Sequence, residues 1–390
     1  MSTRPFELDA LLDSASILVC CGAGGVGKTT TSAALALRAA ERGRRVCVLT
    51  IDPARRLAQS MGLTELDNTP RAVAGVDVSN GGSLDAMMLD MKRTFDDIVL
   101  AHADPQRAQQ ILSNPFYVSL SSSFAGTQEY MAMEKLGQLK RDGTWELIVV
   151  DTPPSRSALD FLDAPQRLGR FLDGRMIRLL LAPAKAGGRG MMKVFTAGLS
   201  MFTNVLTRII GAQALKDLSL FVTSLETMFG GFRERAEQTY RLLKEPGTAF
   251  VVVAVPERDA LREAAYFVER LADEQMPLAM LALNRVHTSG APQLSVERSL
   301  AAAEALDDSG ESPLTAAVLR IHAERLKTSA RDGHLAERFV AAHPGVPVVQ
   351  VAAQPNDVHD LDGLRLIVDE LANGPDASPP VSATRKKRAG

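Results

Sequence analysis

An apolar stretch at residues 16–21 runs straight into Gly22-Ala23-Gly24-Gly25-Val26-Gly27-Lys28-Thr29, and then into an alanine-rich segment with helical spacing. Glycines let backbone N–H groups curl around a polyphosphate, because no Cβ blocks the approach. A helix start behind them adds unsatisfied N–H groups and partial positive charge. Strand, GxxxxGK[ST] loop and helix together predict a phosphate-binding P-loop. In it Gly24, Gly25, Val26, Gly27, Lys28, Thr29 and Thr30 hold the nucleotide. Lys28 reaches the β- and γ-phosphates, and the Thr29 hydroxyl ligates Mg²⁺. The expected ligands are ATP and Mg²⁺.

Gly22, Gly24 and Gly27 also satisfy GxGxxG, with Asp52 ending the next strand, as a dinucleotide site would require. That reading gives no use to Lys28-Thr29-Thr30, nor to a second acidic strand end at Asp151. The P-loop is preferred.

Short β-branched runs alternate with helical periodicity along the chain, which predicts an α/β fold with a doubly wound, mostly parallel sheet. Strands are expected at 16–21, 46–51, 85–90, 147–151, 249–255, 278–284 and 346–351, and the clearest helices at 30–42, 92–103, 128–139 and 258–274. Two strands end in carboxylates, at Asp52-Pro53-Ala54-Arg55-Arg56 and Asp151-Thr152-Pro153-Pro154-Ser155. In such a sheet both emerge on the ligand edge beside the loop. Asp151 reads as the Walker-B carboxylate that holds Mg²⁺ through water. Asp52 either positions the attacking water or caps the helix that follows Pro53. The proline pair after Asp151 suits a switch loop with two defined positions, or simply a rigid connection.

Residues 165–245 carry no convincing strand and concentrate Met176, Met191, Met192, Met201 and Met228 among Phe195, Phe202 and Phe221. Flexible methionines with aromatics build promiscuous hydrophobic grooves. The same pattern also fits the core of a helical subdomain. Residues 1–372 are expected to form one P-loop ATPase domain with a helical, client-binding subdomain inserted at about 92–140 and 165–245. Residues 373–390, ending in Arg385-Lys386-Lys387-Arg388, read as a disordered basic tail able to touch anionic lipid or a partner.

Composition excludes several alternatives. Basic and acidic residues number 44 and 46, a net charge of −2, so no nucleic-acid partner is expected. The 3 cysteines are Cys20, Cys21 and Cys47. Without any beyond position 47, a CxxC zinc site and a disulfide framework are excluded within one chain, which fits a reducing cytoplasm. No secretory signal opens the sequence, and the longest uncharged apolar run, 194–207, falls short of the roughly 20 residues a bilayer needs. A cytoplasmic protein, at most peripheral at a membrane, is expected.

Together, 22–30, Asp52-Pro53-Ala54 and Asp151-Thr152-Pro153 resemble the deviant-Walker ATPases of the ArsA/Get type, which comprise arsenite-pump ATPases and targeting ATPases for tail-anchored membrane proteins. Residues 84–90, 126–129, Pro256-Glu257, Asn284 and 351–363 are similar to further elements of that family, and the resemblance covers roughly 14–370. It implies a nucleotide-sandwich dimer, Asp52 in switch I, Asp151 opening switch II, Asn284 reading adenine and the loop from Val351 covering the base. It also implies a client-binding surface on 165–245. The family's signature Lys is replaced by Ala23. A homodimer would therefore lack a cross-subunit charge, and a heterodimer with a paralogue that keeps the Lys is the other expectation. The arsenite-pump branch needs cysteines that this chain lacks.

Three functions follow: an ATPase chaperone or targeting factor for a hydrophobic protein client, a low-turnover regulatory module docking on an enzyme or membrane complex, and a ParA/MinD-like positioning ATPase. The short basic tail, without an apolar helical stripe, weighs against the last.

Overall fold

The computed structural model describes residues 7–52, 56–115, 117–118, 127–153, 234–291, 293–310 and 312–374. Residues 154–233, which hold most of the expected client-binding segment, lie outside that set. So do 53–55, Gly126 and most of the basic tail.

The first half of the fold comprises α1 (Leu8–Ser14), β1 (Ile17–Gly22), α2 (Lys28–Glu41), β2 (Arg45–Thr50), α3 (Arg56–Ser60), β3 (Arg71–Ala72), β4 (Ser83–Met88), α4 (Met91–His102), α5 (Pro105–Leu112), α6 (Thr127–Asp142) and β5 (Leu147–Asp151). The second comprises β6 (Thr248–Ala254), α7 (Arg258–Asp273), β7 (Leu278–Val286), α8 (Val296–Ser309), α9 (Pro313–Ala342), β8 (Val348–Ala352) and α10 (Leu361–Asn373). The strands form one sheet in the order β3-β4-β2-β5-β1-β6-β7-β8, and only β3–β4 is antiparallel. The chain starts in mid-sheet at β1, moves out through β2 and β4, returns through β5, and then builds the other half. That reversal puts a crevice beyond the carboxyl end of β1, where doubly wound sheets bind ligands.

Central strands are apolar without alternation because both faces are covered. Ile17, Val19 and Cys21 face a layer with Leu49, Val150, Val252 and the helices α4, α6 and α7. Leu18 and Cys20 face the opposite layer with Val48, Val149 and Val251, beneath α2 and α10. Ala33, Ala34, Ala36, Ala39 and Ala40 are completely buried. Small side chains bring α2 close enough to be enclosed by the sheet and α10, which fixes the phosphate loop at its head.

The expected α/β, mostly parallel architecture is present, and most strands fall within two residues of their predicted bounds. The expected strand at 85–90 is instead Ser83–Met88, because Asp90 leaves the ladder to cap α4, accepting a hydrogen bond from Arg93 N. β7 continues past residue 284 to Val286 through a register shift between Leu283 and Val286. β8 begins at Val348, two residues after the predicted start. The sequence left uncalled the antiparallel edge strand β3 and the hairpin of α8 with the 30-residue α9. No described helix is long and apolar enough to cross a membrane.

Candidate functional site

The loop that leaves β1 is shaped by two close backbone approaches. Gly22, at φ 150°, passes so near β6 that a Cβ would lie 2.1 Å from Val253 O. Gly27 adopts φ 97° at the start of α2, and a Cβ there would lie 2.2 Å from the Asn284 side-chain nitrogen. That nitrogen, Nδ2, donates to Val26 O at 2.9 Å, while Oδ1 accepts from Arg285 N. Asn284, predicted to read the base, is thus placed as a brace between β7 and the phosphate loop. Gly27→Ala is expected to break this brace and destabilise the protein by about 1–3 kcal/mol, with weakened nucleotide affinity, because the residue is both strained at positive φ and blocked. Chemical denaturation and nucleotide titration measure the two effects.

Lys28 is buried, and its Nζ donates to Gly22 O at 3.1 Å and Ala23 O at 2.8 Å, inside the curl of the loop. Burial pulls its pKa below the ordinary lysine value, and the nearby carboxylates of Asp151 and Asp52 work against that shift. A positive charge kept short of solvent and counter-ion is prepared for a polyanion.

Asp151 lies between β1 and β2, its backbone in register with Cys20 and Thr50. Its Oδ2 accepts from the hydroxyls of Thr29 and Thr50, each at 2.9 Å. Its Oδ1 is buried without a partner. Burial raises the carboxyl to about 6, although the two hydroxyls act in the opposite direction. Thr50 Oγ1 also accepts from Asp52 N at 3.3 Å, so one hydroxyl joins both acidic strand ends. The next residue, Thr152, hydrogen-bonds Cys20 O through its hydroxyl, pinning the exit from β5 to β1. An orphaned carboxylate oxygen beside a threonine hydroxyl is a donor set that fits a hard divalent cation. Thr29 and Asp151 are the residues that would hold it.

A cleft of about 510 Å³ opens over the loop. Gly25, Gly27, Lys28, Thr29, Thr30 and Asp52 line one side, Arg56, Gln59 and Ser60 of α3 another, and Arg285 with Asp357, Val358 and His359 the far wall. Gly24 is exposed on the loop, and Val26 points into the core. Val351, expected at the base, is 2% exposed and packs in the core layer beneath α2 and α10; within the expected loop 351–363 it is Asp357, Val358 and His359 that line the cleft. The sequence reading missed Thr50, Arg56, Gln59 and Arg285. Arg56 and Arg285 had a visible signal, since each follows closely on a predicted site residue. Arg285 is one of two non-glycine residues at positive φ among the described residues, at 58°. It sits within the β7 irregularity, and bulges beside active sites commonly re-aim a side chain in this way.

A glycine-rich loop at the sheet's switch point, a buried lysine within it and a hydroxyl–carboxylate pair behind it define a P-loop nucleoside triphosphate hydrolase. Residues 15–294 match the ArsA ATPase family, described as anion-transporting ATPases, and the chain belongs to it. The protein is accordingly an ATPase. Its relatives include the ATPase GET3 of Podospora anserina, 26% identical over 286 residues that cover 72% of this chain and 76% of the relative. The ATPase get3 of Schizosaccharomyces pombe is 26% identical over 285 residues, covering 72% and 77%. The ATPase ASNA1 homolog of Cryptosporidium parvum is 27% identical over 266 residues, covering 68% and 63%.

Proposed function

We propose that this ATPase is Mg²⁺-dependent and dimeric, and that it couples the γ-phosphate of ATP to the capture and release of a hydrophobic protein segment, as a chaperone or targeting factor. The observation that carries this reading is how the connection between β5 and β6 is attached. The chain leaves the sheet directly after Asp151 and rejoins it at Thr248. The methionine- and phenylalanine-rich 165–233 therefore hang from the residue that would sense the metal and the γ-phosphate.

The returning end is tied to the site as well. Arg235 Nε donates to both carboxylate oxygens of Glu134, a buried residue of α6, at 3.0 Å. At the start of the same helix, Gln128 Nε2 donates to Ile51 O at 2.8 Å, one residue before Asp52. Both ends of the connection are thus linked to acidic strand ends, one covalently and one through α6. Two discrete positions of those strand ends would bias two arrangements of the segment between them.

In this reading Thr29 and Asp151 would hold Mg²⁺, which would supply positive charge to offset that of the phosphates. Lys28 binds the same phosphates. Asp52 positions the attacking water, with the Thr50 hydroxyl fixing the backbone at that turn. The partner is a second copy of the chain or a paralogue that carries a lysine at the position of Ala23. A second reading, a low-turnover regulatory module, is favoured by that alanine, which brings only a carbonyl to the site.

The test is aggregation of a hydrophobic helical peptide, with light scattering of the carrier in parallel. Wild type with Mg²⁺ and ATP is expected to dimerise and to protect the peptide about tenfold better than Lys28→Ala, the usual size of an allosteric coupling. Equal protection by the two proteins would refute the coupling.

A further inference from the structure

The helix α3 has five residues and two unlike faces. Leu57, Ala58 and Ser60 are buried at 4% exposure or less, which fastens it to the core below. The remaining face carries Arg56 and Gln59 into the cleft above Lys28. The Arg56 guanidinium makes no hydrogen bond or ion pair with any described residue. Its charge nevertheless reaches Lys28, whose ammonium it disfavours. Two cations that line one cleft and repel each other gain most when a polyanion lies between them.

The phosphate loop itself brings one side-chain cation, Lys28, because position 23 is alanine and offers only its carbonyl. Charge that builds on the transferring phosphoryl group needs a second donor, and a guanidinium fork matches its oxygens better than an ammonium. Arg56 follows Asp52 by four residues on the same connection out of β2, and both line the cleft.

We propose that Arg56 is a catalytic residue of the hydrolysis, supplied in cis, which stabilises the charge on the γ-phosphoryl oxygens in the transition state. In that step the water oxygen forms a bond to the γ-phosphorus, and the bond from phosphorus to the bridging oxygen breaks. The bonding pair leaves with ADP, and the water hydrogens depart on inorganic phosphate. This inference rests on the reading of residues 22–29 as the ATP-binding loop.

Full-length wild type, Arg56→Ala and Arg56→Lys are compared for kcat and, by calorimetry, for Kd of ATP with Mg²⁺. Arg56→Ala is expected to lower kcat by on the order of 10²-fold or more, while Kd changes by less than about threefold, because the contact forms mainly in the transition state. Arg56→Lys is expected to recover only part of the loss, since one ammonium does not reproduce the fork. Millimolar guanidinium chloride is expected to restore measurable turnover to Arg56→Ala and to leave wild type unaffected. Arg56 is exposed, so an unchanged thermal melt confirms that each variant is folded.

Retention of kcat in Arg56→Ala overturns the proposal, and so does a loss confined to Kd, which would make Arg56 a ground-state anion contact. Lys28→Ala separates the underlying reading from this one. If that variant binds and hydrolyses ATP as wild type does, the loop assignment has failed. If it does not, and Arg56→Ala turns over normally, only the role of Arg56 has.

Discussion

Lys28→Ala protein is expected to bind ATP more than 10²-fold more weakly than wild type and to hydrolyse it at least roughly 10³-fold more slowly, since a charge-assisted contact in a preorganised site is worth several kcal/mol. The side chain is 6% exposed and enclosed by the loop that it serves. Among the described residues its ammonium is held by the Gly22 and Ala23 carbonyls, neutral acceptors that phosphate oxygens can replace. The fold should not suffer in proportion. Truncation leaves two carbonyls without a donor, at about 1 kcal/mol each, but it also removes a buried charge that desolvation disfavours. Stability within about 1 kcal/mol of wild type is therefore expected by denaturant unfolding, against a collapse of affinity by calorimetry. Lys28→Arg is expected to fail as well, because the larger fork does not fit the space between the two carbonyls. Near-normal affinity in Lys28→Ala would remove the loop from the chemistry altogether.

How much of this site the sequence discloses depends on whether one segment is sufficient to build the feature. The phosphate loop is legible because its glycines, lysine and threonine all answer to one ligand within eight consecutive positions. Asp52 and Asp151 are legible because each ends an apolar run in a sheet whose ligand edge is known from its topology. Thr50 is not, since its importance lies in register: β2 and β5 pair so that Thr50 stands opposite Asp151. Nothing in Val48-Leu49-Thr50 marks that hydroxyl as a bridge. Asn284 shows the reverse case. It was expected to read the base, yet its amide is engaged by Val26 O, a contact that needs β7 and the loop to be brought together across more than 250 residues. The displacement of β4 has a local cause, because Asp90 serves α4 as a cap and so ends the strand early. The α8–α9 hairpin went unread because the buried residues of α9, such as Ala316, Ala323, Asp332, Leu335 and Phe339, are too scattered to form a continuous apolar stripe.

A buried carboxylate with one oxygen unpartnered should also leave a thermodynamic trace in the protein free of nucleotide and metal. The Asp151 carboxyl, raised from an ordinary 3.8 to about 6 mainly by burial, binds a proton more tightly in the folded chain than in the unfolded one. Well below pH 3.8 both states are protonated at this residue and it imposes no cost. As pH climbs through 4 to 6 the unfolded chain gives up the proton first, so stability falls across that window. Above 6 the full penalty is present. A shift of about two pH units at 1.36 kcal/mol each corresponds to about 3 kcal/mol. Carboxylates such as Asp9, whose pKa is lowered chiefly by its hydrogen bond from Arg38, lose stabilisation in acid and act in the opposite direction. The informative quantity is therefore the difference between wild type and Asp151→Asn, measured by urea unfolding in EDTA at each pH. The variant is expected to gain on wild type by up to about 3 kcal/mol between pH 4 and 7, less about 1 kcal/mol for an amide buried with an unmet donor. It is expected at the same time to lose nucleotide hydrolysis, because Asn cannot neutralise a divalent cation. A residue whose removal stabilises the empty protein while abolishing turnover is one kept for charge rather than for packing, the trade expected of strained functional sites. A pH-independent difference between the two proteins would mean that Asp151 Oδ1 is not kept short of solvent or cation in solution, and the metal assignment would lose its support.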